Sequence, residues 1–248
     1  MENTETKHTI QKLSFENKIK KNLNFLAIIL GSVLISGSII FTFKDAKNNN
    51  NFVDPDSVYM GREFKDEEFL SGNKNKKIIL VEYSDLECPY CKKFHSETIP
   101  KILEKYKDKI GLAYRHFPLT IHPKALKESE ATLCVRSIGG NTAYANYINK
   151  IFENTQGNNS LDYNLLPKFA SELNIDITKW NNCMATSTYK EQVQNDLNDG
   201  LQVGVQGTPN TFVLIKNGEE YKILTIINGA RDEKYVSSII EQALKITK

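Results

Sequence analysis

Residues Glu87 to His95 read ECPYCKKFH and place Cys88 and Cys91 with two residues between them, in a chain that has four cysteines. At that spacing in a first helical turn two thiols lie on one face, near enough to close a small ring or to stand as a dithiol. Three chemistries are open: reversible sulfur redox, part of a metal site with His95, or two inert buried thiols. A structural zinc site needs a fourth ligand, usually from a second close pair, and Cys134 and Cys183 form none. No metal is therefore expected. At a helix start, Cys88 meets free backbone N–H groups and the positive end of the helix dipole, which stabilise its thiolate. A stabilised thiolate leaves easily, so a disulfide that includes Cys88 oxidises incoming thiols.

The flanking sequence supplies that position. Ile78–Ser84 (IILVEYS) is an apolar, β-branched run of buried-strand type, and the cysteine pair follows at once. Pro89 suits a first helical turn, where its missing donor is no loss. The helix is predicted over about 88–106, kinked or broken by Pro100. A second strand is predicted over 110–117. Residues 58–77 are ambiguous.

The middle, 122–204, reads as helical. Tyr144, Tyr147, Ile148, Ile151 and Phe152 share one helical face, and Leu165, Leu166, Phe169, Ala170 and Leu173 another; both read as core. Strand character returns at 211–215, and Asn217-Gly218 marks a hairpin turn before 222–227. A last helix places Val236, Ile239, Ile240, Ala243 and Leu244 on one face. Strand, helix, strand, helical block, hairpin, helix predicts an α/β fold with a mixed sheet and helices packed on it.

Where the chain resides bears on the cysteines. Residues 23–43 carry no charge, enough to cross a bilayer as a helix of about 20 residues. A cleavable signal has a shorter apolar core before its small-residue site, whereas this run continues past Ser36, Gly37 and Ser38 through Ile39, Ile40 and Phe41. An uncleaved transmembrane anchor is expected. Lys7, Lys12, Lys18, Lys20 and Lys21 precede it, while only Lys44 and Lys47 follow before Arg62. That asymmetry keeps residues 1–22 in the cytoplasm and the remainder outside it, where disulfides persist. Residues 44–77 serve as tether and N-terminal extension, with the Asn-rich 44–57 reading as flexible. The formal net charge of +2 and the dispersed lysines exclude a nucleic-acid surface.

IILVEYSDLECPYCKKFH, YRHFPLTIHPKA and VGVQGTPNTFV, in that order and spacing, resemble the DsbA-like thiol:disulfide oxidoreductases. That family carries a thioredoxin fold with an inserted all-helical domain, and the resemblance spans about 78–244. It implies a thioredoxin-like domain from 78–120 and 205–248, and a helical insertion at 121–204. It makes Cys88 the attacking and leaving sulfur and Cys91 the buried resolving one. Thr208-Pro209 becomes a cis-proline loop facing the pair and, with Pro89 and Tyr90, part of the substrate-binding surface, its free backbone groups able to pair with an extended peptide. Glu82 matches a buried acid beneath Cys91, where burial favours the protonated form and suits proton transfer. His95 either tunes the thiolate or packs; the sequence leaves both open. In an exported chain the even cysteine count, together with family positions, points to a second bridge, Cys134 to Cys183.

The implied function is an extracytoplasmic, membrane-anchored enzyme, a monomer without cofactor, that donates disulfides to exported proteins and is recycled by a membrane quinone-linked thiol oxidase. Two alternatives stand beside it. One is a reductase or isomerase kept reduced by a membrane electron donor; the other is a thioredoxin-like peptide-binding module without redox turnover. Family isomerases carry an N-terminal dimerisation module, for which the polar 44–77 stretch is a poor candidate.

Overall fold

Every residue of Ile78–Ser84 is buried, as a continuous apolar run demands of a strand covered on both faces. The computed structural model describes residues 58–247; the anchor expected at 23–43 lies outside the described residues. Among the described residues, no helix is long and apolar enough to cross a membrane.

Among the described residues five strands form one sheet: β1 (Phe69–Ser71), β2 (Ile78–Ser84), β3 (Ile110–His116), β4 (Asn210–Asn217) and β5 (Glu220–Asn228). Their order is β1-β3-β2-β4-β5. Only β2 and β3 run parallel, joined through the helix that follows the cysteines, and the other pairs are antiparallel. The centre of the sheet is thus the strand that delivers Cys88. The helices are α1 (Pro89–Lys93), α2 (Ile99–Tyr106), α3 (Ala125–Asn154), α4 (Leu165–Glu172), α5 (Ile177–Ala185), α6 (Lys190–Gln202) and α7 (Glu233–Ile246). This is the predicted thioredoxin-like α/β architecture with a helical insertion.

Three local features depart from the sequence reading. The helix after the cysteines is not simply kinked at Pro100: a π turn, Phe94–Thr98, joins α1 to α2. Pro100 has no N–H to donate to Ser96, and the wider turn supplies another register, with the Ile99 N–H donating to Phe94. The 30-residue α3 is broken at Gly140, whose φ of 75° is a left-handed value that glycine tolerates. Finally, the ambiguous 58–77 segment contributes β1, which pairs with β3 at Phe69↔Ala113, and buries Tyr59, Phe64 and Phe69.

What holds that extension down is a buried charge network. Arg115 on β3 is fully buried; it donates to Glu68 from Nε at 2.9 Å and to Tyr59 at 2.8 Å, and it pairs with Asp199 of α6. Arg62 bridges Glu68 and Asp196, each at 2.6 Å. Two cations and three carboxylates therefore tie extension, sheet and insertion together. Buried charges persist only when so paired.

Both predicted stripes are core. Tyr144, Tyr147, Ile148, Ile151 and Phe152 are buried, as are Leu166, Phe169 and Ala170, and they share one cluster with Cys88, Cys91 and Leu86. Val236, Ile239, Ile240 and Ala243 of α7 pack with α2 against one sheet face. The cysteine helix is thus wedged between the sheet and the insertion.

Candidate functional site

Cys88 occupies the N-cap of α1 and Pro89 its first turn. The tight entry is built by Asp85, whose carboxylate accepts from the Glu87 N–H at 2.7 Å, the Leu119 N–H at 2.7 Å and His122 Nδ1 at 3.0 Å. The Asp85 N–H reaches the Cys91 sulfur at 3.4 Å. Burial raises the Asp85 pKa against the pull of these partners. One acid at the end of β2 thus shapes the turn that presents both sulfurs.

The two thiols, both free, differ in environment. Cys88 is 5% exposed and Cys91 fully buried. The Cys88 pKa is lowered to about 6, first by the Cys91 side chain acting as donor; burial opposes this, and the Thr208 side chain and the Cys91 and Tyr90 N–H groups assist. Burial, then the neighbouring Cys88, then Glu82 hold the Cys91 thiol well above its ordinary value. An anionic outer sulfur beside a protonated inner one is the state poised for thiol exchange.

Opposite the pair lies the loop entering β4. Its Thr208–Pro209 peptide bond is cis, and the Thr208 carbonyl lies 3.5 Å from the Cys88 sulfur. Beside it runs a groove of 320 Å³ lined by Gln206, Gly207, Thr208, Pro209, Asn228 and Gly229 among others. Tyr90 is 67% exposed, and its N–H is directed at the Cys88 sulfur. The predicted residues Pro89, Tyr90, Thr208 and Pro209 thus gather around Cys88.

Glu82 on β2 is fully buried, and both of its carboxylate oxygens lie near His95 Nε2, at 3.1 and 3.0 Å. His95 sits in the π turn, stacked on Phe152 at 4.8 Å and edge-on to Tyr114. The structure adds to the two options left open by the sequence a direct contact with the buried Glu82 carboxylate. Cys134 on α3 and Cys183 on α5 are joined by a disulfide, Cα atoms 5.9 Å apart. Among the described residues no cluster suited to a metal ion is found.

Sequence reasoning missed the fastening around Glu87, the residue before Cys88. Its carboxylate accepts from Thr155 Oγ1 at 3.2 Å, Ser160 N–H at 3.0 Å and Leu161 N–H at 3.2 Å, and its carbonyl accepts from the Asn158 N–H at 2.7 Å. Gly157, at φ +80°, abuts Pro89 so closely that a Cβ there would lie 2.8 Å from the proline ring. Glu128, fully buried on α3, stands beside Glu87; burial first, then that carboxylate, push its pKa up to about 10. The available signal was three acids, Asp85, Glu87 and Glu128, in or near otherwise buried segments.

A five-stranded mixed sheet, a cysteine pair at a helix start, an opposing cis-proline loop and a helical insertion define a thioredoxin-like protein. A family model described as Thioredoxin matches residues 65–242, and the chain belongs to that family. Among solved structures, alpha-DsbA1 of Wolbachia pipientis is 25% identical, with 75% of this chain and 94% of that chain covered and a TM-score of 0.65. BdbD of Bacillus subtilis, in its oxidised form, is 21% identical over 77% of this chain and 99% of that one, with a TM-score of 0.63. The DsbA-like resemblance thus holds for fold and family. The Na(+)/H(+) antiporter NhaA 1 of Mycobacterium sp. (strain KMS) is 24% identical over 156 residues. That match takes in 62% of this chain and only 24% of the antiporter, so the chain spans about a quarter of that relative's length.

Proposed function

We propose that this chain is an extracytoplasmic thiol:disulfide oxidoreductase that donates the Cys88–Cys91 disulfide to exported proteins. The observation that carries the reading is the asymmetry of the pair: an outer sulfur with its pKa lowered to about 6 beside the Thr208 carbonyl, and a fully buried partner. A substrate thiolate attacks Cys88, Cys91 leaves and takes up a proton, and a mixed disulfide forms. A second substrate thiolate then attacks the first substrate sulfur and releases Cys88 as its stabilised thiolate. The substrate loses two electrons and the pair gains them. Catalytic roles fall to Cys88 and Cys91, with Glu82 serving proton transfer at Cys91; the groove along Thr208 and Pro209 takes the peptide as an added strand.

The membrane attachment through 23–43, the monomeric state and recycling by a membrane quinone-linked thiol oxidase belong to the same proposal, supported by the uncharged run and its lysine asymmetry. Ion antiport, the activity in the mycobacterial relative's name, has no support within 58–247, where no helix suits a membrane. The testing experiment is mixed-disulfide capture in cells. Cys91→Ser should accumulate covalent adducts, formed as the Cys88 thiolate attacks a disulfide of an exported protein and releases one of its sulfurs as thiolate, and kept because the internal resolving thiol is gone; Cys88→Ala should capture none. Equal adduct levels in the two variants would reject Cys88 as the reacting sulfur.

A further inference from the structure

Resting on the redox reading above, we infer that His95 is the proton relay between solvent and the buried Glu82, serving Cys91. Each passage through the cycle changes the protonation of Cys91, which has no exposure of its own. Glu82 is the carboxylate whose charge is felt at that sulfur, yet Glu82 is itself fully buried. Its side-chain partner among the described residues is His95, through Nε2. A buried acid with an outlet to water can be returned to its resting protonation between the two half-reactions.

His95 supplies the exit. Its ring lines a cleft of 330 Å³ together with Lys92, Ser96, Pro100, Asn149, Phe152 and Glu153. Phe152 stacked on one face and Tyr114 at the edge hold the ring in place. The charged groups at the cleft are Lys92 on α1 and Glu153 on α3. Tyr114 also faces Glu82, but burial raises its phenol so far that it keeps its proton. Imidazole has the two nitrogens a relay needs, one toward the acid and one toward water. The π turn is what aims it: an α-helical register through 94–98 would turn the residue to a different azimuth.

The steps balance. When Cys91 attacks the mixed disulfide at Cys88, its proton passes to Glu82; Glu82 gives a proton to Nε2 as Nδ1 releases one to water in the cleft. The Cys88–Cys91 bond forms and the partner's thiolate leaves. When the disulfide is next opened by substrate, Cys91 leaves as a thiolate and the same groups carry a proton inward, which restores the original tautomer. His95 acts through Glu82 and does not itself touch sulfur.

The test uses the reduced full-length protein in excess over an aryl disulfide, which gives two releases of coloured thiolate. The first reports attack by Cys88 and the second resolution by Cys91. In His95→Ala the first phase should match wild type and the second should slow about 100-fold, the scale of a lost proton-transfer group. Imidazole in the buffer should restore the second phase, whereas pyrrole, which fills the same space without relaying a proton, should not. His95→Gln, which keeps a donor toward Glu82, guards against misfolding and should show the same selective slowing. An unchanged second phase in both variants, equal slowing of both phases, or rescue by pyrrole as well as imidazole would overturn the relay. Absence of any second phase in the wild type would instead reject the redox reading itself.

Discussion

Raising the pH from 6 to 8 should stabilise the reduced protein and leave the oxidised protein without that gain. Cys88 titrates at about 6 when folded, against 9.0 for an ordinary thiol. A depressed folded pKa contributes stability that is complete above the unfolded value and lost as pH falls toward the folded one. The window is therefore pH 6–9. Linkage over those two values gives about 1.4 kcal/mol at pH 7 and about 2.7 at pH 8; screening at the partly accessible sulfur reduces these to about 1 and 2 kcal/mol. Cys91, held as a thiol by burial, adds nothing in this window. The assay is denaturant unfolding of the reduced and oxidised forms from pH 5 to 9, with the difference taken so that other groups cancel. At pH 7 the gain corresponds to roughly 20–30 mV of oxidising power. A difference that stays flat, together with Cys88 titrating near 9 by thiolate absorbance, would refute the reasoning.

Three further outcomes follow from buried features. Replacing Cys134 and Cys183 by Ala, which frees a loop with a sequence separation of 49, should cost about 4 kcal/mol by loop entropy, read by denaturant unfolding; a loss under 1 kcal/mol would contradict it. Arg115→Met leaves Asp199 without its buried cation and Glu68 with Arg62 alone and should cost about 3–5 kcal/mol, with proteolysis beginning in the 58–71 extension. Glu128→Gln should stabilise the protein at neutral pH. The Glu128 carboxyl, raised to about 10 from 4.5, contributes most below pH 4.5 and loses ground as pH rises toward 10, so the variant's advantage should be on the order of 3 kcal/mol at pH 7 and vanish below pH 4.5.

The central strand, the helix start and the hairpin were legible because each is written locally: an unbroken apolar run, a proline at the first turn, Asn217-Gly218 between alternating segments. The helical stripes of α3, α4 and α7 were legible for the same reason, since burial follows period. Placing Thr208-Pro209 opposite Cys88 required the family resemblance, as nothing in a loop 120 residues away specifies contact. The 58–77 extension stayed ambiguous in the sequence because much of its anchoring is polar and distant: Arg62 and Glu68 look like surface charges until Arg115, Asp196 and Asp199 enclose them. Glu82 and His95 show the same limit. Their spacing of 13 residues carries no periodic signal, and the imidazole that meets the acid sits in a π turn just before Pro100 that the sequence did not announce.

The measurement that bears most directly on the account is the redox state of Cys88 and Cys91 in the cell, trapped by acid quenching and read by thiol alkylation. A disulfide donor whose reduced form is favoured by a stabilised Cys88 thiolate must be kept reoxidised in order to act, so the pair should be found mostly as the Cys88–Cys91 disulfide, with Cys134 and Cys183 bridged as well. A pair found mostly reduced while Cys134–Cys183 remains oxidised would contradict the donor role and assign the chain to a reductase supplied by a membrane electron donor.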